Sequence, residues 1–166
     1  KPMTIPKTMK ALVAHGVGDY RLEHDWPVPE CGDEDILIQV EGCGICAGDL
    51  KCRQGAAMFW GDETQPAWVE PPFTPGHEFI GTVVRLGKEV KGYAIGDRVT
   101  ADQIVPCRDC RFCRTGKYWM CQPHRIFGFF SDVSGGMAEY VRLPRGAVVH
   151  KVPKSLPLED ALLIEP

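Results

Sequence analysis

Four cysteines, Cys107, Cys110, Cys113 and Cys121, fall within one fifteen-residue stretch, and their C-x2-C-x2-C-x7-C spacing lets a single ion gather all four thiolates. Tetrahedral zinc is the expected occupant of this loop, residues 107–121. It accepts four sulfurs at about 2.3 Å without redox chemistry and leaves no open position, so the site is structural. Arg108, Arg111, Arg114 and Lys117 lie among the ligands and offset the negative charge of a four-thiolate centre. The rival readings are an iron–sulfur cluster and a pair of disulfides. The first usually has proline directly after its fourth cysteine and a partner cluster, and neither is present.

The remaining cysteines, Cys31, Cys43, Cys46 and Cys52, are scattered, and a chain of 166 residues with 44% hydrophobic residues can build a core without disulfide staples. Reduced thiols and the lack of a signal-peptide pattern at the N-terminus lead to the expectation of a cytoplasmic protein with a ragged start. The net charge of -3 offers no basic field for nucleic acid, and no window approaches the length of apolar residues that a membrane span needs. Neither nucleic acid nor membrane is therefore an expected partner.

Eighteen glycines and fourteen prolines separate short runs rich in Val, Ile and Leu, which reads as a mainly β chain with short helices. Candidate strands are Lys10–His15, Asp19–His24, Asp35–Glu41, Phe79–Leu86, Arg98–Ala101, Met137–Leu143 and Val148–Val152, and a closed or partly closed barrel suits so many short strands. Met58–Pro72 reads as a long ordered loop, of the kind that borders sites. Ser155 is placed to cap a helix carrying Leu156, Leu158, Leu162 and Leu163.

Two further segments join metal-ligand types to glycine: Gly42-Cys43-Gly44-Ile45-Cys46-Ala47-Gly48-Asp49 and Pro75-Gly76-His77-Glu78. One thiolate, one imidazole and one more ligand plus water make the pattern of a catalytic zinc. Singly each signal is weak, since an isolated Cys is most often a buried hydrophobe and an isolated His a satisfied side chain.

Taken in order, G-C-G-I-C-x-x-D, P-G-H-E-F-x-G-x-V, G-D-R-V and the four-cysteine loop resemble the zinc-dependent medium-chain alcohol and polyol dehydrogenases over essentially the whole chain. The resemblance implies a GroES-like barrel spanning 1–166, ending before a Rossmann cofactor domain that would bind NAD or NADP. It implies zinc, about two ions per chain: one in the loop and a catalytic one held by Cys46, His77 and Glu165. Glu78 resembles an adjacent acid that assists ligand exchange, and Asp49 a carboxylate that orients the ligand histidine. Glu165 also reads as a plain helix-end acid, and Asp49 as an acid placed by the helix dipole. Glycine at 48 departs from the family, which usually has a Ser or Thr there to relay the alcohol's proton; Lys51 stands where some relatives have a relay histidine.

Glutamate at 165, together with Cys46-Ala-Gly-Asp-Leu-Lys-Cys52 and Gly55-Ala-Ala-Met-Phe-Trp-Gly-Asp-Glu63, resembles the polyol branch that oxidises tetritols to the ketose. Phe59, Trp60 and Trp68 are then candidates to line the substrate channel. The expected partners are a small polyol, the Rossmann domain and further copies of the longer chain in a homo-oligomer. The 166 residues alone are expected to be inactive. An alternative from another class is a stand-alone zinc-binding GroES-like module without dehydrogenase activity.

Overall fold

The computed structural model describes residues 4–166; the ragged start expected at the first three lies outside the described residues. Strands β1 (Thr8–Gly16) and β2 (Asp19–Pro27) form an antiparallel hairpin. Strands β3 (Ile36–Cys43), β4 (Phe79–Leu86), β5 (Arg98–Ala101), β8 (Tyr140–Leu143) and β9 (Val149–Lys151) form an antiparallel sheet in the order β8-β3-β4-β5-β9. Isolated bridges from Ala11 to Ala138 and from Ala14 to Phe73 tie the hairpin to the segments that lead into β8 and β4. The mainly β chain with short helices expected from the sequence is the observed one.

The start of β3 is apolar on both faces because the sheet is covered on both. Ile36 and Ile38 join the main core with Phe73, Phe79, Val83, Val99 and Phe127, whereas Leu37 points into a second core with Met9, Ala11, Val13 and Tyr140. In β1 the alternation of buried Met9, Ala11 and Val13 with more exposed Thr8, Lys10 and Leu12 follows the two-residue period of a strand. Each fully buried Phe or Ile contributes about 1.5–3 kcal/mol, so this two-faced burial is what fixes the register of the central strands.

Strand ends differ from the expectation where tertiary contacts intervene. The expected strand from Met137 starts at Tyr140, because the segment before it pairs with β1 instead: the Leu12 N–H donates to the Met137 carbonyl at 2.8 Å. Asp35 drops out of β3 to accept from the Gly32 and Arg145 N–H groups. Two short strands, β6 (Ile104–Val105) and β7 (Arg125–Ile126), went unseen in the sequence; two residues are too few for alternation to register.

Four short helices complete the described residues: α1 (Ala47–Arg53), α2 (Ala57–Trp60), α3 (Arg111–Arg114) and α4 (Leu158–Ala161). α2 overlaps the start of the stretch expected to be one long loop. α4 starts later than expected, with Pro157 rather than Ser155 at its cap position and no side-chain cap bond. Its apolar residues still find a core: Leu156, Leu158, Ala161 and Leu162 pack with Ile80 and Val152. Among the described residues, no helix is long and apolar enough to cross a membrane.

Candidate metal centres

The β6–β7 pair closes the base of the cysteine loop, with β6 just before Cys107 and β7 just after Cys121. Arg108 turns the chain with a left-handed φ of 64°, Cys110 begins α3, and a 3-10 turn at Tyr118–Met120 delivers the buried Cys121. The four sulfurs come within 4.8 Å of one another, with Cys107 and Cys113 3.9 Å apart, and no disulfide joins them.

Backbone N–H groups point at these sulfurs. Cys110 and Asp109 donate to Cys107 Sγ at 3.3 and 3.5 Å, and Cys107 donates to Cys121 Sγ at 3.3 Å. Donors aimed at sulfur favour the thiolate. Backbone donors lower the Cys107 thiol and pull Cys110 down to about 6, while burial and the neighbouring Cys110 push Cys113 up to about 12. Crowded, part-ionised thiols of this kind fit a soft cation with four-sulfur coordination.

The second group joins segments thirty residues apart. Cys46 caps α1, a position normally held by Ser, Thr, Asp or Asn. Its sulfur accepts from the Gly48 N–H at 3.4 Å, while Asp49 Oδ2 accepts from the Cys46 N–H at 2.9 Å, completing a capping box around a thiol. His77 and Glu78 lead into β4, and the Gly44 N–H donates to the Glu78 carbonyl at 2.7 Å. Two glycines permit this approach. A Cβ on Gly44 would collide with the Glu78 carboxylate. Gly76, at φ +94°, would meet Cys43 Sγ at 2.5 Å and Met137 Cγ at 2.9 Å.

As a result the ligand atoms of Cys46, His77 and Glu78 lie within 4.8 Å of one another. This grouping differs from the expected set of Cys46, His77 and Glu165. Glu78 follows His77 in the chain and has room made for it by Gly44. Glu165 sits on the turn after α4, half-buried, and lines a cleft of about 460 Å³ with Asp102, Gln103, Tyr118, Trp119 and His150. It stays near enough to feel the others: burial raises its carboxyl, the His77 charge lowers it and that of Glu78 raises it.

Asp49 and His77 are buried, at 5% and 4% exposure, and each keeps one polar atom without a hydrogen-bond partner, Oδ1 and Nδ1 respectively. Asp49 therefore bonds the Cys46 backbone, not the histidine ring for which the sequence reading reserved it. Burial pushes its carboxyl up, against the pull of the Cys46 N–H and the His77 charge. A three-donor group with buried, unfilled polar atoms suits a metal ion that retains an exchangeable position.

Lys51 is exposed on α1 and stands outside the Cys46, His77 and Glu78 group. Phe59 is buried and stacks on Phe129 with centroids 5.2 Å apart, and Phe129 lies 5.8 Å from the His77 ring. Trp68 packs on Phe59, Phe129 and Phe130 behind this wall, while Trp60 packs on Phe73 and donates to the Cys52 carbonyl at 2.6 Å. The sequence reading missed Phe129, the ring that touches the site. The aromatic run Phe127-Gly-Phe-Phe130 was the available signal. It also missed Asp102, which accepts from the Tyr118 hydroxyl and pairs with His150, both at 2.7 Å, in the wall of the Glu165 cleft.

The model of the alcohol dehydrogenase GroES-like domain family matches residues 32–154. An erythritol/L-threitol dehydrogenase of Mycolicibacterium smegmatis is 51% identical over 165 residues, which is 98% of this chain and 45% of that protein. A sorbitol dehydrogenase of Bacillus subtilis is 35% identical over 163 residues, 98% of this chain and 44% of its own. Among solved structures, a Sinorhizobium meliloti protein bound to NADP superposes with a TM-score of 0.77 at 35% identity, over 92% of this chain and 40% of that one. The chain thus spans less than half the length of the curated relatives it matches.

Proposed function

Because the chain belongs to the alcohol dehydrogenase GroES-like domain family, we propose that it is the zinc-bearing catalytic domain of an NAD(P)-dependent polyol dehydrogenase whose cofactor domain lies outside these 166 residues. The observation that carries this reading is the convergence of Cys46, His77 and Glu78 beside an aromatic wall. Cys46, His77 and Glu78 would hold a zinc ion there, and zinc would supply Lewis acidity toward an alcohol oxygen. Glu165, at the edge of the same region, is available as a further or exchanging ligand.

The chain's own residues account for the rest. Asp49 holds the turn that presents the Cys46 sulfur. Phe59 and Phe129 keep water from the site and offer an apolar face to a carbon chain. Gly48 bears on the substrate class: an added Cβ would sit in van der Waals contact with Cys46 Sγ at 3.7 Å and with the Phe129 and Phe59 rings at 4.0 Å. No side-chain hydroxyl from residue 48 enters that space to take the alcohol's proton. A second hydroxyl on a vicinal diol fills the same role, which favours a tetritol or similar polyol over a monoalcohol.

Activity and cofactor binding of the 166-residue chain, compared with the chain joined to its cofactor domain, test this reading. The joined protein should oxidise a tetritol with NAD or NADP, and the shorter chain should neither bind the nucleotide nor turn over. Micromolar NAD binding by the shorter chain, or a joined protein that oxidises no alcohol, would overturn it.

A further inference from the structure

A second cavity, of about 600 Å³, shares no residue with the Cys46, His77 and Glu78 group or with the Glu165 cleft. Its wall is made where the two ends of the cysteine loop, the turn at Asp132 and the turn after β8 meet. Four of the side chains that line it are guanidiniums, those of Arg108, Arg125, Arg142 and Arg145, and one, Asp132, is a carboxylate. Neither the loop's coordination chemistry nor the dehydrogenase reading uses this arrangement.

Each guanidinium is fastened to the fold. Arg142 donates to the Asp132 carbonyl at 2.7 Å and to Asp35 Oδ2 at 3.3 Å. Arg125 pairs with Asp132 and, at 3.2 Å, with Glu70, and its guanidinium carbon lies 3.9 Å from the centroid of the Phe130 ring. Arg145 donates from Nη1 to Glu34 at 3.0 Å. Arg108 has no carboxylate partner among the described residues; its Nη2 donates to the Gly146 carbonyl at 2.8 Å, so that the side chain spans two sides of the wall. The loop holds Arg108 at a φ of 64°, an unfavourable backbone for a residue with a Cβ, and Gly146, at 92°, supplies the matching turn.

A guanidinium carries five N–H donors in a planar fork. Arg108 and Arg145 each commit one nitrogen to the fold and Arg142 two, so donors remain for a ligand. The acids that steady Arg125, Arg142 and Arg145 from outside, Glu70, Asp35 and Glu34, do not line the cavity. They offset the charge of the guanidiniums without occupying the space between them. Recognition there comes from fixed forks rather than from a broad positive field, in keeping with a net charge of -3. Such forks match the paired oxygens of a phosphate.

We propose that this cavity is a binding site for a small phosphate-bearing molecule, gripped by Arg125 and Arg142 at its more sheltered side and by the exposed Arg108 and Arg145 at its mouth. The volume is that of a small-ligand pocket and exceeds the needs of a lone phosphate ion. An occupant ties both ends of the cysteine loop to the turn after β8. The proposal is independent of the polyol reading.

The test is calorimetric titration of the 166-residue chain, its loop filled with zinc, with inorganic phosphate and with glycerol phosphate, against sodium chloride at matched ionic strength. Working without the cofactor domain avoids a nucleotide site as a competing phosphate binder. Inorganic phosphate should bind with a Kd of about 1 mM, and the monoester more tightly. Arg108→Gln keeps a donor for the Gly146 carbonyl and removes the charge. It and Arg145→Gln should each weaken binding about tenfold, the loss of one charge-assisted contact. Arg114→Gln, on the same loop but outside the cavity, should leave binding unchanged.

No heat from either phosphate at matched ionic strength would overturn the proposal. So would an equal loss in Arg114→Gln, which marks diffuse attraction to the loop, or undiminished binding in both Arg108→Gln and Arg145→Gln. Citrate binding as tightly as the monoester would overturn the phosphate class. Zinc content is measured in every variant; if Arg108→Gln loses the loop's ion, Arg145→Gln, which lies outside the loop, decides the result alone.

Discussion

The two candidate centres are built in opposite ways. The four-cysteine loop takes all its donors from fifteen consecutive residues, lies largely at the surface and points backbone N–H groups at its sulfurs. The Cys46 group draws on the cap of α1 and the entry to β4, is half-buried around a buried His77, and holds together because the surrounding sheet and two glycines bring distant segments into contact. A centre of the first kind has little structure without its ion, since forming the site and folding the loop are one event. A centre of the second kind is shaped by the core and should outlast the loss of its ion.

The largest effect should follow from breaking the loop. Cys110→Ser is expected to unfold residues 107–121, costing on the order of 3 kcal/mol or more and lowering the thermal midpoint by roughly 10 °C. Thermal unfolding with limited proteolysis checks this; proteolytic resistance of the loop in that variant would break the contrast. Treatment with a chelator should act in the same order, opening the loop while near-UV circular dichroism still reports a packed core.

A smaller effect is expected at Gly44. Gly44→Ala drives a methyl into the Glu78 carboxylate, so the second site should lose metal affinity while stability falls by about 1–3 kcal/mol. Equilibrium dialysis against zinc measures the first and denaturant unfolding the second. Undiminished zinc binding would mean that the Glu78 carboxylate is not needed at that site.

The smallest effect on stability belongs to Gly48→Ser, because an added Cβ meets its neighbours at ordinary van der Waals distances, the nearest at 3.7 Å, and should change stability by no more than about 0.5 kcal/mol. Its consequence is functional. In the chain joined to its cofactor domain, steady-state oxidation of a primary monoalcohol should rise several-fold relative to a tetritol. A wild-type protein that already uses both equally well, or a serine variant that gains nothing, would remove the diol hydroxyl from the account and leave solvent as the proton's route.

The same contrast explains what could be read from the chain. Strands such as Phe79–Leu86 and Arg98–Ala101 were legible to the residue, because burial against the core writes itself into local patterns. The convergence of Cys107, Cys110, Cys113 and Cys121 follows from spacing alone. Which acid stands beside Cys46 and His77 does not: the resemblance gives Glu165 the third-ligand place, whereas Glu78 is the acid grouped with them, which depends on the room that Gly44 leaves and on where the turn after α4 runs. Phe129 was invisible for the same reason, since only the fold brings the Phe127–Phe130 segment beside His77.

Zinc stoichiometry by native mass spectrometry, on wild type and on His77→Ala, tests the central claim most directly. With both centres as described, wild type carries about two zinc ions per chain and the variant about one, held in the loop. Iron in place of zinc, or a single zinc in wild type that His77→Ala leaves untouched, would contradict it.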